Sequence, residues 1–155
     1  MKLGTKGRYG VMAMADLAGH SLGDPVTLAA IAERQNISQA YLEQIFVKLR
    51  RAGLVESVRG AAGGYRLGRP ADEITIADIV AAVEETMEVT RCEAGGLEGC
   101  VNGQRCLTHD LWDELERHIN MFLEAVSLGD VVHRRVRGRA SAPAVDAALD
   151  RMLKV

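Results

Sequence analysis

No apolar run in this 155-residue sequence approaches the roughly 18 residues a helix needs to cross a bilayer. The longest uncharged apolar stretches, such as Val11 to Ala15 and Ile79 to Val83, fall far short. No secretory leader is expected either, because Lys6 and Arg8 follow Met1 and Lys2 where an apolar segment would stand. Cysteine is scarce: three residues, an odd number, do not build a disulfide scaffold. Neither G-x-x-x-x-G-K-[ST] nor G-x-G-x-x-G occurs, so the glycine-rich stretches are not the common nucleotide cradles. A C-x2-C knuckle of the zinc-ribbon type is also missing. What is present, 48% hydrophobic and 26% charged residues, is an ordinary globular composition. It suits one domain with a helical appendage, expected in the cytoplasm.

The net charge of −2 conceals an asymmetry. Residues 1–70 carry ten Lys and Arg against five Asp and Glu, whereas residues 71–155 carry nine against sixteen. A basic first half suits an anionic polymer, and an acidic second half does not wrap the same partner.

The first half reads as three helices and a hairpin. From a cap at Thr5, Val11, Met14, Ala15, Ala18 and Leu22 recur at helical spacing up to the Gly23-Asp24-Pro25 break. Thr27 opens a short helix with Leu28, Ile31 and Ala32 inward, stopping near Gln35 and Asn36. Ser38 caps a third helix in which Leu42, Ile45, Phe46 and Leu49 form the buried stripe and Gly53 ends it. Two strand-like runs, Leu54 to Val58 and Tyr65 to Leu67, flank the loop Arg59-Gly60-Ala61-Ala62-Gly63-Gly64. Helix, short turn, helix and hairpin together predict a winged helix-turn-helix domain over residues 1–70, in a fold that is mainly α with a small β wing.

Beyond Arg69 and Pro70 the pattern changes. Thr75 to Asp78 resembles a capping box opening a connecting helix, within residues 71–91, that buries Ile76, Ile79, Val80 and Val83. Residues 92–109 read as a glycine-rich ligand loop. From Thr108 a long periodic segment places Leu111, Leu115, His118, Phe122 and Ala125 beside Trp112, Ile119, Leu123 and Val126. An apolar stripe that wide needs two surfaces, so residues 110–133 are expected to form a dimerisation helix against a second copy. A basic tail over 134–155, with Arg134, Arg135, Arg137 and Arg139, follows.

Cys92, Cys100, Cys106 and His109 share one window, spaced C-x7-C-x5-C-x2-H. Thiolates are soft donors, imidazole is a borderline one, and glycines let a loop close around an ion or cluster. An iron–sulfur cluster, zinc and a bare thiol switch all remain open from these residues. A nucleophilic pairing of Cys106 with His109 has no oxyanion donor or orienting third group, so no enzyme is expected.

The third helix carries Gln39, Glu43 and Gln44 where a groove-facing helix presents its side chains. Gln44 suits bidentate pairing with adenine. Glu43 accepts from cytosine N4 and repels phosphate, which filters sequence negatively. Lys6, Arg8, Lys48, Arg50, Arg51, Arg59 and Arg66 are expected phosphate or minor-groove contacts.

These residues amount to a resemblance. Met1-Lys2-Leu3 with Lys6-Gly7-Arg8-Tyr9, Ile37-Ser38 with Tyr41-Leu42-Glu43-Gln44, Val58-Arg59-Gly60 with Gly63-Gly64-Tyr65, and Cys106-Leu107-Thr108-His109 with Leu111-Trp112 are similar to the IscR family of winged-helix transcriptional repressors, over roughly residues 1–133. The resemblance implies a bacterial, homodimeric regulator of cluster-assembly genes that senses cluster supply. It implies a 2Fe-2S cluster held by Cys92, Cys100, Cys106 and His109, received from the iron–sulfur assembly machinery. On double-stranded operator DNA it implies base reading by Ser38, Glu43 and Gln44, with Tyr41 and Gly60 in the same DNA-contacting motifs and Arg59 in a minor groove. The chain departs from the family in two places: the stretch between Cys92 and Cys100 is about two residues longer, and Ala40 stands where a serine is common. Sensors of nitric oxide, iron or cysteine supply share this architecture, and a zinc-stabilised DNA-binding module without sensing is a further alternative.

Overall fold

The structure, a computed structural model, describes residues 4–21, 23–83 and 106–138. Its described elements run α1 (Thr5–His20), α2 (Leu28–Gln35), α3 (Gln39–Arg51), β1 (Val55–Val58), β2 (Gly64–Leu67), a 3-10 turn (Ala71–Glu73), α4 (Ile76–Val83), α5 (His109–Ala125) and α6 (Leu128–Val132). The mainly helical fold with an antiparallel two-stranded wing is the one expected, with Val55 opposite Leu67 and Val58 opposite Gly64.

Local chemistry sets the helix-turn-helix. Thr27 Oγ1 accepts from Ala30 N at 3.2 Å and Ser38 Oγ accepts from Tyr41 N at 3.2 Å, so α2 and α3 both begin on side-chain caps. Asn36 turns left-handed between them at φ 52°, and Gly53 does so after α3 at φ 72°. Leu42, Ile45, Phe46 and Leu49 are all buried, and Tyr65 of β2 meets Phe46 edge-on with ring centroids 4.9 Å apart. Val26 and Tyr65 exchange backbone hydrogen bonds at 2.8 Å, which fixes the wing to the α1–α2 loop. A Cβ on Gly64 would lie 2.6 Å from Val26 O, so that approach requires glycine.

Helix α1 departs from expectation. Its N-cap is Gly4 without a side-chain bond, not Thr5, which is its first helical residue. It ends at His20, and the buried set is Gly7, Gly10, Ala13, Met14, Asp16 and Leu17. Of the stripe read from sequence, Met14 is buried, Val11, Ala15 and Ala18 are half-buried, and Leu22 lies outside the described residues. The cause is centrality: α1 packs against α2, α3, α4, α6 and β2, so no single stripe describes its inward side. At Gly10 a Cβ would sit 3.2 Å from Val83 Cγ2, which lets α1 and α4 approach closely.

The capping box at α4 is present: Asp78 N donates to Thr75 Oγ1 and Thr75 N to Asp78 Oδ2, both at 3.0 Å. A second box, Ser127 with Asp130, opens α6 and was not anticipated. The continuous helix expected to residue 133 stops at Ala125, because Val126 leaves the helix to bridge back. Ile76 N donates to Val126 O at 2.9 Å and Leu128 N to Ile74 O at 2.7 Å, so Thr75 and Ser127 pair antiparallel and the two helix starts lie side by side. Val126 and Leu128 are thereby buried in the same core as the helix-turn-helix.

Candidate DNA interface and metal centre

The outward side of α3 is the exposed complement of its core stripe. Gln39, Ala40, Glu43, Gln44, Val47 and Arg50 are exposed. Gln39 Nε2 donates to Glu43 Oε1 at 3.3 Å, holding the carboxylate one turn along the same face. Ser38 is exposed, with its hydroxyl engaged as the helix cap. Tyr41 is half-buried and meets Tyr9 edge-on, centroids 5.7 Å apart, so its ring braces α3 on α1. Lys6 and Arg8 are exposed on the first turns of α1. Arg59 and Gly60, the latter at φ 114°, occupy the exposed wing tip.

Lys48 has a different position from the one its charge suggested. It is half-buried, and its Nζ donates to Val83 O at the end of α4 at 3.2 Å. Lys6, Tyr41, Gln44, Ile45, Lys48 and Val83 line one shallow cavity between α1, α3 and α4. Sequence reasoning also passed over Val47, which is 38% exposed on the outward side of α3. The signal was available: residues 40, 43, 44 and 47 are the helical complement of the buried stripe.

Beneath the helix-turn-helix, Asp16 is enclosed and receives Arg34 Nη2 at 2.6 Å, Arg34 Nε at 3.0 Å and Gln35 Nε2 at 2.7 Å. Burial raises its carboxyl, but the hydrogen bonds from Arg34 and Gln35 and the charges of Arg34 and His20 outweigh burial and hold it below its ordinary value. The pair clamps α2 to α1. Arg135, counted from sequence in a basic patch, is likewise committed: Nε meets Asp130 Oδ1 and Nη2 meets Asp72 Oδ1, each at 3.2 Å.

Of the four expected ligands, Cys106 and His109 are described, while Cys92 and Cys100 lie outside the described residues. Cys106 is half-buried just before α5, and His109, 4% exposed, is the first residue of that helix. Their separation is one turn, closed by His109 N donating to Cys106 O at 3.0 Å. The Thr108 hydroxyl, 3.4 Å from Cys106 Sγ, and the backbone N–H groups of Thr108, Cys106 and His109 favour the thiolate and hold the thiol below its ordinary value. A thiol biased towards thiolate and, three residues on, a shielded imidazole match in type the soft and borderline donors that iron–sulfur clusters and zinc take. Among the described residues no three His, Cys, Asp or Glu side chains converge as a cage.

Residues 3–134 match the family described as "Rrf2: Iron-dependent Transcriptional regulator". The chain belongs to the Rrf2 family. An Aliivibrio salmonicida relative named HTH-type transcriptional regulator IscR is 52% identical over 151 residues, 97% of this chain and 89% of the relative. Among solved structures, T. potens IscR superposes with a TM-score of 0.71 at 39% identity, covering 87% of this chain and 88% of that one. CymR of B. subtilis, described as its global cysteine regulator, has a TM-score of 0.73 at 34% identity, covering 86% and 98%. As an Rrf2 protein of IscR type the chain is a transcriptional regulator and not an enzyme. No helix among its described residues is long and apolar enough to cross a membrane.

Proposed function

We propose that this Rrf2 protein is a bacterial, cytoplasmic, homodimeric regulator that senses iron–sulfur cluster supply and controls cluster-assembly genes. The observation that carries the reading is the placement of Cys106 just before α5 and of His109 as its first residue, at the head of a helix whose other end returns through Val126 to Leu128 into the core of the DNA-binding domain. With Cys92 and Cys100 they would hold a 2Fe-2S cluster, which supplies a redox-active, supply-dependent centre; zinc is the alternative occupant. A second copy would cover exposed apolar side chains of α5, where Leu111 is 61%, Met121 59% and Trp112 39% exposed.

The protein's own residues then do the work on DNA. Leu42, Ile45, Phe46 and Leu49 hold α3 to the body, so Glu43 and Gln44 meet base edges in a fixed register. Arg59 on the wing reaches an adjacent minor groove. Ligand binding at the head of α5 would change how two copies present their α3 helices. Clusters would come from the iron–sulfur assembly machinery.

Oxygen-free reconstitution with iron and sulfide tests the reading. A red-brown protein that binds operator DNA differently from its colourless apo form supports it. A colourless protein with stoichiometric zinc supports the structural-metal alternative. The similarity to CymR favours one rival within the family, a response to cysteine supply. Operator binding that follows thiol metabolites and ignores cluster content would establish that rival.

A further inference from the structure

The recognition face of α3 is not uniformly polar. At about 100° per residue, Val47 sits roughly 160° from Leu49 of the buried stripe and roughly 20° from Ala40, between the azimuths of Glu43 and Gln44. Val47 therefore occupies the middle of the face opposite the core, and its exposure agrees. A single exposed valine on a surface needs no explanation. This one, however, is centred on the side that enters the groove, seven residues after the methyl of Ala40. A β-branched residue also gains nothing for the helix there, since it restricts χ1 without packing on the core.

The floor of the major groove offers one apolar group, the C5-methyl of thymine. We propose that Val47 is a specificity-determining residue that packs its methyl groups on a thymine C5-methyl, with Ala40 able to meet another about three base steps away. Four residues of helix separate Glu43 from Val47, about 6 Å or two base steps. The preferred half-site therefore places a thymine about two steps from the cytosine whose N4 group Glu43 accepts. The assignment rests on α3 being the groove-entering helix.

The test uses the full chain, purified and assayed without oxygen, on duplexes enriched from a random-sequence pool. Each thymidine of an enriched duplex is replaced in turn by deoxyuridine, which removes only the methyl group. Wild type is expected to lose roughly fourfold in affinity at one thymidine per half-site, the effect of one buried methyl. Val47→Ser should bind the thymidine and deoxyuridine duplexes equally, and Val47→Thr, which keeps a γ-methyl, should restore part of the discrimination. If wild type binds every deoxyuridine duplex as tightly as its parent, or Val47→Ser discriminates as well as wild type, the role of Val47 is overturned while DNA reading by α3 stands. If no duplex is enriched at all, the DNA reading fails and this assignment fails with it.

Discussion

Lys48 of the recognition helix donates its ammonium to the carbonyl of Val83, 35 residues later and at the end of α4. A cation that sequence placed among phosphate contacts is therefore a tie between the DNA-reading helix and the helix that leads towards residues 84–105. Val83 itself is fully buried against Gly10 of α1, so the acceptor is held on a rigid support.

This tie separates two kinds of basic residue. Lys48→Met should lower stability by ~1 kcal/mol, the value of one partly exposed charged hydrogen bond. It should leave the slope of log affinity against log salt unchanged. Arg59→Ala on the wing should instead reduce that slope by about 0.9 per protomer. Anisotropy titrations of a labelled duplex over a salt series measure both, and an equal drop for the two variants would return Lys48 to the phosphate set.

Metal content should follow the donor set. Cys106→Ala and Cys92→Ala are each expected to remain colourless after anaerobic reconstitution and to bind operator DNA as the untreated apo protein does. Visible absorbance equal to wild type in both variants would remove these cysteines from the ligand set.

Asp16 should impose a pH dependence on stability. Its folded-state carboxyl lies below its ordinary value, so its contribution is complete above the unfolded value near 3.8 and is lost as pH falls through the lower folded value. Asp16→Asn should cost roughly 2 kcal/mol at neutral pH, where it leaves the Arg34 guanidinium without its anion. The difference between variant and wild type should be flat down to about pH 4 and shrink below it. Urea unfolding at neutral pH and near pH 3 reads this out. A difference that grows on acidification would contradict the assignment.

The paired caps at Thr75 and Ser127 predict coupling. Thr75→Ala and Ser127→Ala should each destabilise by about 1 kcal/mol through loss of a cap. The two helix starts share the hydrogen bonds from Ile76 to Val126 and from Leu128 to Ile74, so the double variant should depart from additivity by more than about 0.5 kcal/mol. Strict additivity in thermal or denaturant unfolding would show that the bridge does not couple them.

The sequence by itself determined everything that depends on neighbours along the chain. Thr27, Ser38 and Thr75 cap their helices because their oxygens reach N–H groups three residues on. Leu42, Ile45, Phe46 and Leu49 share a face because of the helical period, and the run from Arg59 to Gly64 turns because glycine tolerates its backbone angles. The spacing of Cys106 and His109 was legible for the same reason. Tertiary structure alone decided what residues far apart do to one another. It surrounded α1 so that no single stripe described it, and it set Arg34 on Asp16 and Arg135 on Asp72 and Asp130. It also broke the long helix at Val126 by pairing Ser127 with Thr75, and it turned Lys48 from solvent towards Val83. Periodicity reports only which side of a helix is buried. Which charge a cation meets depends on packing between elements, which no local pattern encodes.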